Sequence, residues 1–172
     1  MNTVTMMLTF ALGATLAVPA GPEVDGNGEL LPPSVASPCC EADMAEAFHL
    51  RLAGEDRAAH RKYHAVAKAQ VAAGEFPGEA LWQAAEVSHS QGRMARAARE
   101  LDEVARQARE FGRPNLEVRA LFEATYLHHQ SGRNDLAQAR LARVERLITS
   151  PEVSDEVRVM VATRLTTGRA QV

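Results

Sequence analysis

The sequence predicts an all-α protein, on three observations. Across residues 42–168, apolar side chains recur at three- and four-residue spacing, the period of helices with one buried face. Gly and Pro fall at regular breaks in that pattern. There Gly suits the left-handed cap that ends one helix, and Pro suits the first turn of the next. Composition agrees: only 5% of the 172 residues are aromatic, and Ala is abundant. That mixture favours closely packed helices over the β-branched and aromatic surfaces of a sandwich.

Three segments follow one another. Residues 1–20, MNTVTMMLTFALGATLAVPA, carry no charged side chain. The run from Met6 to Val18 has the length of a signal-peptide core and falls short of the ~20 residues of a membrane span. Small or aliphatic residues at Val18-Pro19-Ala20 place the expected cleavage after Ala20. No Lys or Arg precedes the apolar core, so two alternatives stay open: an uncleaved membrane anchor over residues 4–20, or a mis-assigned start on a cytoplasmic chain. Residues 21–41 are rich in Gly and Pro, lack helical period and read as a flexible linker. Cys39 and Cys40 close that linker. A strained vicinal disulfide, intermolecular pairing and a thiolate pair for soft metals compete there, with an incidental or structural pair favoured because no CxxC motif is present.

Residues 42–172 form the folded domain. Seven helices are expected at about 42–53, 56–73, 78–90, 94–110, 115–130, 134–149 and 152–166, separated by breaks at Gly54, Gly74-Glu75-Phe76-Pro77, Gly92, Gly112-Arg113-Pro114, Gly132 and Ser150-Pro151. Asp155 and Glu156 favour the positive end of the last helix dipole. The breaks are periodic: Gly54, Gly92 and Gly132 stand 38 and 40 residues apart. Five places after each Gly comes a small residue (Ala59, Ala97, Ala137), nine places after it a larger apolar one (Tyr63, Leu101, Leu141), and twelve places after it a Val (Val66, Val104, Val144). These offsets share one helical face. The small residue admits the paired helix, and the larger two fill the space between neighbouring pairs. Self-similarity at a period of 20–50 residues marks a stacked repeat.

On these residues the domain resembles the tetratricopeptide repeat family. The resemblance rests on the turn Gly, the small residue of the second helix and the apolar residues one turn on. First-helix positions match in the second copy (Leu81, Ala84, Ala85, Ser88) and fairly in the third (Leu121, Ala124, Thr125, His128). In the first copy Asp43 and Glu46 fall on core positions, which points to a degenerate cap or a one-residue shift. The period exceeds the family's usual 34, so longer second helices are expected. The seventh helix reads as a cap. The resemblance implies a right-handed superhelical stack of three antiparallel helix pairs. It also implies a concave face lined by the first helices, where Arg51, Trp82, Glu86, His89, Arg119, Phe122, Tyr126 and His129 fall by distance from each Gly. Aromatic and Arg anchors suit a peptide-binding groove. For Trp82 and Phe122 a core role weighs equally.

Other chemistry is weaker. His60 and His64 share a helix face, but no third metal ligand is visible in sequence, so a solvated face is expected and no metal or other cofactor is assigned. The carboxylates, Glu100 and Glu145 among them, are expected on exposed faces. Formal net charge is −3; residues 1–40 hold three acids and no base, leaving 19 acidic and 19 basic residues beyond. Nucleic-acid binding is disfavoured by that balance. No nucleophile–base pair or phosphate loop is present, so a non-enzyme is expected. The functional expectation is an exported scaffold for a protein or peptide partner. The alternatives are a redox or soft-metal protein working through Cys39-Cys40, and a cytoplasmic self-associating module.

Overall fold

A computed structural model describes the backbone of residues 38–169 and the side chains of residues 40–165. Among the described residues there are seven helices and no strand: α1 (Pro38–Leu52), α2 (Asp56–Ala72), α3 (Gly78–Ser90), α4 (Met94–Glu110), α5 (Pro114–Gln130), α6 (Asn134–Leu147) and α7 (Asp155–Arg169). Each of α1 to α5 packs on its successor, and α7 returns to α5. Residues 1–37 lie outside the described residues, and with them the expected signal or anchor. No helix among the described residues is long and apolar enough to cross a membrane.

One turn geometry is reused throughout. At Gly92 (φ +71°) the backbone N–H donates to His89 O at 2.8 Å, and Arg93 N donates to Ser88 O at 2.9 Å. A left-handed residue at this point lets two otherwise orphaned helix carbonyls be satisfied at once. The same pair of bonds recurs at Gly54, Gly74, Gly112 and Gly132, so turns within pairs and between pairs are built alike.

The repeat positions carry the core. Ala59, Ala97 and Ala137 are buried, as are Tyr63, Leu101, Val66, Val104 and Val144. Leu141 departs from the pattern and is only partly buried. It lies on α6, the last second helix, with no further pair stacked beyond it. Side chains bridge alternate helices. Arg51 of α1 meets Glu86 of α3 at 2.9 Å, and Arg164 of α7 meets Glu123 of α5. His60 of α2 meets Glu100 of α4 at 2.7 Å, and Arg140 of α6 meets Asp102 of α4 at 2.7 Å. The odd-numbered and even-numbered helices thus form two cross-linked layers of an all-helical, tetratricopeptide-like solenoid.

Two expectations need correction, and one choice left open by the sequence is decided. Helix α1 begins at Pro38 rather than in the forties, so Cys39 and Cys40 belong to a helix and not to the linker. Pro supplies a preset φ at a helix start and lacks only an N–H that would be unpaired there anyway. In the first pair, Asp43 and Glu46 leave the core and converge on Lys62 Nζ at 2.7 and 2.6 Å. Burial moves on by one residue, to Met44 and Ala47, which is the one-residue shift of the two alternatives. Finally, the extra length of the repeat is not confined to second helices: α2 and α4 have 17 residues, but α6 has 14 and the first helix α5 has 17.

The last helix starts at Asp155, three residues later than its apolar pattern suggests. Val153 is buried in the preceding turn, and Asn115 Oδ1 accepts Ser154 N at 2.7 Å. Arg158 donates to Ile148 O at 2.9 Å and to Ser150 O at 2.6 Å, using carbonyls that α6 leaves open as it ends.

Candidate peptide-binding face

Glu86 organises the first-helix face. Its Oε2 accepts Arg51 Nη1 at 2.9 Å, and its Oε1 accepts Trp82 Nε1 at 3.2 Å. Arg51 Nη1 also donates to Gln83 Oε1 at 2.6 Å, and Gln83 Nε2 donates to Glu79 Oε1 at 2.9 Å. The Arg119 guanidinium of α5 stands 6.0 Å from the Trp82 ring centroid, at the edge of cation–π range. A cleft of about 430 Å³ opens over this group, lined by Trp82, Glu86, Arg119, Phe76, Arg113 and Leu116 together with Gly78, Glu79 and Gln83. A second cleft of about 340 Å³ shares Leu116 and Arg119 and continues between α5 and α7 to Val157 and Met160.

The structure therefore brings together Arg51, Trp82, Glu86 and Arg119 from the residues read in sequence. Trp82 serves both roles weighed for it: it is partly buried against the core, and it also lines the cleft. Phe122 packs against the core and does not line the cleft. Tyr126 is 54% exposed, with its hydroxyl accepting Gln130 Nε2 at 2.5 Å. His129 is exposed, with Nδ1 3.0 Å from Asn134 Oδ1. His89 is exposed and lies apart from the cleft. Sequence reasoning missed Phe76, Gln83, Arg113 and Leu116. Counting back from the intra-pair Gly residues cannot reach Phe76 and Arg113, which lie in the turns between pairs. Their convergence shows only in three dimensions: Arg113 stacks over Phe76 at 4.6 Å, and Phe76 meets Phe111 at 5.5 Å.

On the other layer, the expected solvated histidine face is a buried polar seam. His60 is 7% exposed and Glu100 8% exposed. Glu100 Oε1 faces His60 Nε2 at 2.7 Å, His64 Nε2 at 3.1 Å and Arg96 Nε at 3.0 Å. Glu100 Oε2 is buried without a hydrogen bond of ordinary geometry, as is the nearby Ser88 hydroxyl. Burial alone would raise the Glu100 pKa, but His64, Ser88 and His60 favour the carboxylate and bring it down to about 2. Burial lowers the His60 pKa, with Arg96 and His64 adding to that and Glu100 opposing it. The reason the sequence reading failed is geometric. Glu100 lies three residues after Ala97 and four before Val104, on the buried face of α4.

A third cluster gathers Arg99, Arg106, Arg109, Arg140, Arg143 and Arg146 around a cleft of about 640 Å³ that also holds Asp102, Glu103 and Glu117. Overall charge balance had hidden this local excess. Asp102 pairs with Arg140, Glu117 with Arg143, and Glu103 with Arg106. Cys40 is buried in the core. The Cys39 side chain, and hence any pairing of the two, lies outside the described residues.

No family model matches this sequence, and no curated protein matches it. Among solved structures, the chain is similar to the type III secretion translocator chaperone SycD of Yersinia enterocolitica. The TM-score is 0.55 at 18% identity, over 80% of this chain and 97% of that one. At that identity the likeness is one of fold, an all-helical repeat solenoid.

Proposed function

We propose that this chain is a non-enzymatic repeat scaffold that takes an apolar-anchored, carboxylate-bearing segment of a partner protein into the Trp82–Arg119 cleft. One observation carries the reading. The cleft joins apolar surface from Phe76, Trp82 and Leu116 to two exposed guanidinium groups, Arg113 and Arg119, neither of which has a carboxylate partner among the described residues. Glu86 is held in place by Arg51 and Trp82, so the surface is ordered before any ligand arrives, which lowers the entropic cost of binding. The fold likeness to a chaperone is consistent with a protein ligand. Export belongs to the same reading and rests on residues 1–20 alone; amino-terminal sequencing of the mature chain tests it.

The binding reading is tested by selecting displayed peptides on the full chain. Binding is followed through the fluorescence of Trp82, the single Trp of the sequence. Enriched peptides should pair an apolar residue with Asp or Glu, bind in the micromolar range, and lose about tenfold in affinity on Arg119→Ala, or about 1.4 kcal/mol. A library that shows no enrichment, or peptides that ignore Arg119→Ala, would remove the reading.

A further inference from the structure

We propose that His60, His64 and Glu100 form a binding site for one divalent cation of the zinc class, which clasps α2 to α4. His60 and His64 lie four residues apart on α2, the spacing that sets two imidazoles on one helix face. Glu100 approaches from α4. One donor atom from each of the three lies within 4.8 Å of the other two. Ligand atoms about 2.0–2.1 Å from a tetrahedral ion stand ~3.3 Å apart. The present separations of 2.7 and 3.1 Å from Glu100 Oε1 to the two Nε2 atoms therefore need to open by only a few tenths of an ångström.

The seam is also poorly settled without an ion. Three donors crowd one carboxylate oxygen, while its twin is buried without a regular hydrogen bond. A cation would exchange the crowding for coordination. Two imidazoles and a carboxylate are a suitable donor set for zinc, leaving a fourth position for water. His64, with 40% of its side chain exposed, supplies the entry path.

Arg96 is the gate. Its Nη2 lies 3.3 Å from His60 Nδ1. A guanidinium only donates, so Nδ1 accepts and the imidazole proton sits on Nε2, facing Glu100. Coordination through Nε2 requires that proton to move to Nδ1 and Arg96 to withdraw. The Arg96 side chain is 42% exposed and free of the core, so it can swing into water. The repulsion between its charge and a dication is relieved by the same movement.

The test titrates the full chain, stripped with chelator, with Zn²⁺ in a calorimeter, and with Co²⁺ followed by absorption. One ion per chain is expected, with a tetrahedral cobalt spectrum lacking thiolate charge transfer. Glu100→Gln and the half-exposed His64→Ala should each weaken zinc at least ~10-fold while the chain stays helical, and Arg96→Ala should tighten it. Absence of stoichiometric binding would overturn the site. So would a thiolate band, which would place the ion at the cysteines, or an affinity that neither Glu100→Gln nor His64→Ala reduces.

Discussion

Asp102 of α4 reaches across to Arg140 of α6 in a two-pronged pair, Oδ1 accepting Nε at 2.7 Å and Oδ2 accepting Nη2 at 3.0 Å. The same Oδ2 lies 3.0 Å from Nε2 of the fully buried His128. One carboxylate thus ties the second helix pair to both helices of the third. Asp102→Ala should lower stability by about 2 kcal/mol in urea titrations. That is less than the ~3–5 kcal/mol of a fully buried pair, because Arg140 keeps partial access to water. Asp102→Asn, which preserves one acceptor, should cost less.

Acid should destabilise the metal-free protein in two steps. His60 is held below its ordinary 6.5 in the folded chain, so the unfolded chain takes up a proton first, and stability falls as pH drops from about 6.5 toward the lowered folded value. Glu100 titrates near 4.5 when unfolded and about 2 when folded; its contribution is complete above 4.5 and is lost as pH falls through about 2. Urea midpoints between pH 7 and pH 3, with chelator present, measure both. Glu100→Gln should flatten the lower step and leave a decline between pH 7 and 5; a wild-type profile level over that upper range contradicts the His60 assignment.

Ala97 is completely buried on α4, in a cluster with Ala85 of α3 and Ala124 of α5. Ala97→Glu should abolish cooperative unfolding, since a buried unpaired carboxylate costs several kcal/mol. Ala97→Ser, similar in size and able to bond a helix carbonyl, should cost only about 1 kcal/mol. Circular dichroism melts distinguish the two.

Gly92→Ala isolates backbone strain. A Cβ at this position would meet no atom within 4 Å, so the cost comes from φ +71° alone, about 1 kcal/mol. A markedly larger loss in a denaturant titration would mean that the turn must move during folding or binding.

Trp82→Ala and Tyr126→Ala should separate packing from recognition. Trp82 leans on the core, so its removal should cost about 2 kcal/mol of stability together with most of the affinity for a selected peptide. Tyr126 is more than half exposed and lies outside the cleft, so its loss should stay within ~0.5 kcal/mol. Paired melts and calorimetric binding titrations give both numbers for each variant.

What could be read from the sequence followed the length scale of the physics involved. Helices α2 to α5 begin and end within a residue of their expected bounds, because Gly and Pro act on their own few neighbours. The shared face of Ala97, Leu101 and Val104 was legible through the repeat, which samples one packing environment three times. Partnerships across helices were not. Nothing local to Glu100 announces that His60 and His64, some forty residues earlier, will cover it. The cleft was half legible for the same reason. Trp82 and Arg119 obey the repeat register, whereas Phe76 and Arg113 enter from turns that the register skips.

Helix α7 has a consequence for assembly. Val153, Val157 and Val161 bury against the end of the stack, where the first helix of a fourth pair would otherwise continue the series. A chain cut after Ile148 would open to water the apolar surface that those three valines now cover. Self-association of the cut chain, read by light scattering against the full chain, is the expected outcome.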